Sequence, residues 1–267
     1  MQLVKAVDRG LRRLYHYERF CPKYLTDMLA EQHFHLSNPS KFNDPWDSCP
    51  CFDTTQADDP AYRARCIRFI RGFVPHLPDS ERLQYEAMIQ ADRRLFVKAL
   101  QTFGDALRSV VVARFRTYCL TPKADMPLMW SHYADHHRGI CLEFDTSEPL
   151  FGNAVKVEYQ MTLPAIDILN QTDEASFRPL VTKSPDWCYE NEYRIVARHQ
   201  NAAENAPSHF PITTDDFLPL NPGALIGIIL GCRAEVNAIM ALVTQHAPDL
   251  PVKRAVQAIN SYTLLIE

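Results

Sequence analysis

The chain has 267 residues, 46% hydrophobic and 22% charged, enough for a sizeable core and ordinary for a globular protein. A net charge of −4 and a pI of about 6.2 argue against broad electrostatic capture of nucleic acid. The opening residues lack a signal-peptide core and no apolar run approaches membrane-spanning length, so a cytoplasmic protein without membrane contact is expected.

In chain order, Leu11–Tyr17 ends like a short strand, and Lys23–Gln32 sets Tyr24, Leu25, Met28 and Leu29 at helical spacing. His33–Ser37 alternates as a strand. "SKFNDPWDS", Ser40–Ser48, then carries Asn43, Asp44 and Pro45, residues that turn the chain through local hydrogen bonds and a preset φ. The flanking Phe42 and Trp46 are expected to anchor this loop on the core, making it the wall of a cleft. From Pro60 to about Phe115 the pattern is helical: one helix opens at Pro60 and a second at the capping pair Asp79 and Ser80, with Pro75 and Pro78 between them. A helical insertion at about 58–115 within one domain spanning 1–267 is expected.

Arg116–Thr121 reads as a strand, and Asp125 as the cap of a helix that carries "MPLMWSHYADHH" and stops at Gly139. Ile140–Asp145, Ala154–Gln160 and Cys188–Arg198 are predicted strands, the segment 171–178 a loop or ragged helix, and "PSHFPITTDDF" a loop. Ala224–Gly231 is a wholly apolar strand, followed by a helix ending near His246 and two closing strands. Helices and strands do not alternate regularly, so the fold class is α+β with a central mixed or antiparallel sheet.

Neither a dinucleotide fingerprint, a P-loop nor a nucleophile elbow is present. The eight cysteines include no Cys-x-x-Cys and read as mostly buried reduced thiols rather than zinc ligands. His132 and His136 would sit one helical turn apart, a spacing that can chelate zinc. The position of a metalloprotease base between them is occupied by Tyr133, so no metal is expected and His132, Tyr133 and Trp130 read as cleft-lining or packing residues. On a strand, Glu190, Glu192 and Arg194 would share one face, roughly 6.5 Å apart in steps of two, with the guanidinium keeping both acids ionised. The alternative is a solvated ion pair, against which Lys183 and Trp187 stand close in sequence. A basic groove from Arg63, Arg65, Arg68 and Arg71 is the sole support for a nucleic-acid-processing enzyme.

Four stretches in order, "LYHY", "FNDPWD", "MWSHYADHHRGICLEFD" and a lysine followed by "WCYENEYRI", resemble the bacterial and phage domain-of-unknown-function family 2971. More distantly, "LYHY", a short helix and "HFHLS", together with the late "ENE", resemble ADP-ribosyltransferases. That resemblance implies a split sheet and NAD as co-substrate, with an acceptor that is a protein or nucleic acid and a role in bacterial defence or as a toxin. It implies that His16 contacts the adenosine-side ribose, that Glu192 hydrogen-bonds the nicotinamide ribose and that Glu190 faces the acceptor. Tyr17 or Tyr133 would stack on nicotinamide, within a cleft that includes Asn43, Asp44, Trp130, His132, Lys183, Trp187 and Arg194. The other reading is a non-catalytic module that binds a nucleotide-type small molecule or a protein.

Overall fold

The computed structural model describes residues 3–71, 78–169, 177–200 and 210–267. Pro75 and most of the polar 171–178 segment lie outside them. The architecture is α+β, built around two sheets.

The larger sheet holds β1 (Arg13–Glu18), and the smaller one holds β2 (Phe115–Leu120). Next in the chain is β3 (Ile140–Asp145), followed by β4 (Tyr193–His199) and β5 (Leu225–Leu230). The chain closes with β6 (Val252–Gln257) and β7 (Leu264–Ile266). The five-stranded sheet runs β1-β3-β5-β6-β7, antiparallel except for the parallel β5–β6 pair. β5 is apolar on both faces, while β3 buries Ile140, Leu142 and Phe144 on one face and on the other carries Glu143, paired with Arg13 and Lys253. In the second sheet β4 lies antiparallel to β2, from Tyr193↔Leu120 to Arg198↔Phe115.

Helix α1 (Pro22–Ala30) starts on a proline, whose missing N–H costs nothing at a first helical turn, and buries Leu25, Met28 and Leu29. It packs with the late helix Val236–His246 over the main core, which also takes in Phe34, Leu142, Phe144 and Ile228.

Between the early strands and β2 stand α2 (Pro60–Arg71), α3 (Asp79–Ala91) and α4 (Arg93–Arg114). They enclose their own core of Tyr62, Cys66, Ile67, Ile89, Phe96 and Leu100. The sequence led us to expect one helix from Asp79. Instead Asp92 leaves the helical region and its carboxylate caps the next helix, accepting from Arg94 N at 2.7 Å. Two of the four arginines named for a basic groove are engaged within the helical unit. Arg63 turns inward and donates to the carbonyls of Ala57, Asp58 and Gln90, while Arg71 pairs with Glu86.

The expected strand Ala154–Gln160 is two short pieces: Val155–Lys156 pairs with β4, and Glu158–Tyr159 pairs with Thr182–Lys183. All eight cysteines are free thiols. No helix among the described residues is long and apolar enough to cross a membrane.

Candidate functional site

The two sheets meet at one point. Tyr15 on β1 and Thr121 at the end of β2 exchange backbone hydrogen bonds of 2.7 and 2.9 Å. Pairing then stops. The imidazole of His16 takes the next position, with Nδ1 2.7 Å from the carbonyl oxygen of Cys119 and its ring stacked 4.0 Å from Tyr118. A carbonyl only accepts, so Nδ1 carries the proton and, in the neutral ring, Nε2 is left as an acceptor. Past this wedge the strands separate, and a cavity of about 880 Å³ opens. It is within the size range of small-molecule sites. His16, Tyr17 and Glu18 line one side; Lys183, Glu190, Glu192 and Arg194 line the other.

The acidic side is not the alternating strand face expected from the sequence. Pro185–Glu190 forms a 3₁₀ turn, Asn191 adopts the left-handed conformation (φ 46°, ψ 48°), and the strand begins only at Tyr193. Asparagine tolerates that conformation better than most residues. The turn carries Glu190 and Glu192 around one cation. Lys183 Nζ lies 2.6 Å from Glu190, 3.3 Å from Glu192 and 3.8 Å from Asp47.

Arg194, fully buried, gives Nε and Nη2 to Glu192 at 2.7 and 3.1 Å and forks onto Asp47 at 2.8 and 2.6 Å. Tyr133 Oη donates to Glu190 at 2.5 Å. Three carboxylates thus share two cations and one phenol, which is how buried charge is tolerated.

Titration follows from this arrangement. Burial opposes ionisation of Glu192, but Arg194 and Lys183 outweigh it and hold its carboxyl well below the usual range. Burial raises Glu190, and the neighbouring charge of Glu192 raises it further against Lys183. Lys183 is lowered by burial, yet Glu192 and Glu190 more than compensate and it stays firmly protonated. On the opposite wall, burial drops His16 to about 4. Burial also lifts Glu18 to about 7.

The predicted long helix over "MPLMWSHYADHH" is short, Pro127–His132, with N-cap Met126 and no side-chain cap from Asp125. Asp135, His136 and His137 follow with positive φ. This turn brings the chain to Gly139, where any Cβ would lie 2.2 Å from the carbonyl oxygen of Glu18. His132 and His136 therefore do not share a helix face, and the zinc-chelating spacing is lost.

His132 and Tyr133 line the cavity, whereas Trp130 is sealed behind it, donating to Ala124 O at 2.8 Å and packing edge-on to Tyr17. Trp187 is also outside the lining and lies under Lys183, 4.8 Å from its ring centre.

The loop at Ser40–Ser48 splits its expected roles. Asp44 is buried outside the cavity lining and its Oδ1 accepts from Trp46 N at 2.9 Å, holding the turn. Asn43 lines the cavity but is exposed. Trp46 does not anchor the loop: it is 65% exposed. Phe42 lies under the Arg194 guanidinium at 5.3 Å. The anchor is Asp47, which the sequence reading missed as a site residue. Its only sequence signal was an acid beside a proline-aromatic pair. Glu18 was missed as well, although it stands two residues from His16 on a strand and so shares its face.

Residues 129–195 match the model of a family described as a protein of unknown function (DUF2971). The matched stretch carries Tyr133, Lys183, Glu190, Glu192 and Arg194, the acidic side of the cavity, while His16, Glu18 and Asp47 come from upstream of it. No curated protein and no solved structure matches the chain.

Proposed function

We propose that the cavity binds NAD and that the protein transfers ADP-ribose from it to an acceptor group. One observation carries this reading: His16 and Glu192, 176 positions apart by number, face the same cavity where β1 and β2 diverge. Breaking the bond to nicotinamide leaves positive charge on the ribose, and an ionised carboxylate fixed beside it stabilises that charge as it develops. Glu192 meets the requirement, since Arg194 and Lys183 keep it charged in a buried site. Those two residues supply three hydrogen bonds to a group that accepts about four, leaving room for a ribose hydroxyl. The neighbouring Cys119 thiol is a weak donor by comparison.

Glu190 accepts from Tyr133 at one oxygen and from Lys183 at the other, and in this reading it holds Lys183 beside Glu192. Tyr17 is buried edge-on to Trp130 with its hydroxyl tied to Lys123 O at 2.8 Å, so it stiffens the cavity wall and offers no free ring face for stacking.

The full pairing of Asp47, Glu190 and Glu192 with cations favours a second reading, a module that binds a nucleotide without turning it over. Nicotinamide release, measured by chromatography with wild type and Glu192→Gln, separates the two. Transfer chemistry requires release that falls on the order of 100-fold or more in the variant. Binding of NAD with no release supports the second reading, and absence of both removes NAD from the account.

A further inference from the structure

Of the acidic side chains lining the cavity, Asp47, Glu190 and Glu192 each hold a lysine or arginine within 4.0 Å. Glu18 differs. Among the described residues its one ion-pair neighbour is His16, with Oε2 3.8 Å from Nε2, and the two side chains are only 20% and 17% exposed. Both project from one face of β1 into the cavity. Because the Cys119 carbonyl fixes the proton on Nδ1, the neutral imidazole turns an acceptor nitrogen towards the carboxyl.

We infer that Glu18 is the proton acceptor of this cavity, and that His16 receives the hydrogen bond of the carboxylic acid so formed. This rests on the NAD reading above. In the step it serves, the bond from the ribose C1′ to the nicotinamide nitrogen breaks and its electron pair stays on the pyridine ring. A lone pair of the acceptor forms the new bond to C1′, and the acceptor's proton passes to Glu18 and from there to water.

No other carboxyl on the cavity wall suits the task. Glu192 is held ionised by Arg194 and Lys183, and Glu190 gives one oxygen to Lys183 and the other to Tyr133. Glu18 has an affinity for protons matched to neutral conditions, since burial lifts it to about 7. The titratable groups facing it are His16 on its own strand, Tyr118 on β2 and Cys141 on β3, with Arg19 and Lys23 further along the cavity lining. Tyr118 and Cys141 are both raised by burial and stay neutral at such pH. His16 is neutral there too, so no neighbour among these three pins the carboxyl in its charged form.

The test uses water as acceptor and follows nicotinamide release from NAD between pH 5.5 and 9 for wild type, Glu18→Gln, Glu18→Asp and Glu192→Gln, each checked for folding by thermal melting. The expected wild-type kcat/KM rises with pH and levels off above about 7. Glu18→Gln loses the rising limb and on the order of 100-fold in rate at pH 8, and Glu18→Asp recovers part of both. A folded Glu18→Gln with the wild-type rate and pH limb overturns the inference alone, provided that release still depends on Glu192. Absence of release from wild type overturns the NAD reading and this role with it.

Discussion

Asp47 and Arg194 are joined by two parallel hydrogen bonds of 2.8 and 2.6 Å although they lie 147 residues apart in sequence. A fork of this kind fits a carboxylate to a planar guanidinium with little freedom to slip. It binds the early loop to the start of β4, and through Glu192 it fixes the acidic wall of the cavity. Removing the acid leaves a fully buried guanidinium short of one partner. Asp47→Ala is therefore expected to cost about 3–5 kcal/mol in chemical denaturation. A loss below about 0.5 kcal/mol would show that the loop is held by something else.

Tyr133 has a quieter part. Its hydroxyl is the sole non-cationic donor to Glu190 among the bonds described here. Tyr133→Phe keeps the ring and deletes the donor, leaving one carboxylate oxygen dry. A destabilisation of about 1–3 kcal/mol is expected from equilibrium unfolding, larger at pH 7 than at pH 3, where Glu190 is protonated. Equal losses at both pH values would contradict the assigned partner.

His16 and Glu18 should mask one another in stability measurements. His16 falls from its ordinary 6.5 to about 4 in the folded protein, so between those values the unfolded chain binds more protons and stability rises with pH. Glu18 is lifted from 4.5 to about 7, so over that range the native state binds more protons and stability falls as pH rises. The two slopes oppose each other between pH 4.5 and 6.5.

Relative to wild type, which cancels the other carboxyls, His16→Gln should lose on the order of 3 kcal/mol between pH 4 and 6.5. Glu18→Gln should gain a similar amount between pH 4.5 and 7. Parallel stability curves for the three proteins would rule out the opposed pair.

Trp46 is expected to be silent. It is 65% exposed, and Asp44 rather than the indole holds the turn. Trp46→Ala should change stability by less than about 0.5 kcal/mol. A loss of several kcal/mol would restore the anchoring role suggested by the sequence.

Much of this fold could be read from the chain. The strands Arg13–Glu18, Ile140–Asp145 and Leu225–Leu230, and the helices of Pro22–Ala30 and Val236–His246, have burial patterns written in their own residues. The assembly of His16, Tyr133, Lys183, Glu192 and Arg194 around one cavity was also within reach, since each is a costly residue type in an otherwise apolar setting.

Backbone features that interrupt a pattern were not legible. Nothing in "CYENEYRIVAR" reveals that Asn191 turns left-handed, which decides where Glu190 points. The left-handed run Asp135, His136 and His137 breaks a convincing helical stripe in the same way, because tertiary hydrogen bonds such as Arg233 N to His137 O override local preference. Asp47 was hidden for another reason. Its partner lies far along the chain, and a single sequence carries no sign of that pairing.

The most direct measurement is the crystal structure of the protein soaked with NAD. The account predicts ordered density in the cavity between β1 and β4, with the nicotinamide ribose hydroxyl within hydrogen-bonding distance of Glu192 and the adenosine-side ribose against His16. An empty cavity at saturating NAD, or NAD bound with both riboses away from Glu192, would contradict it.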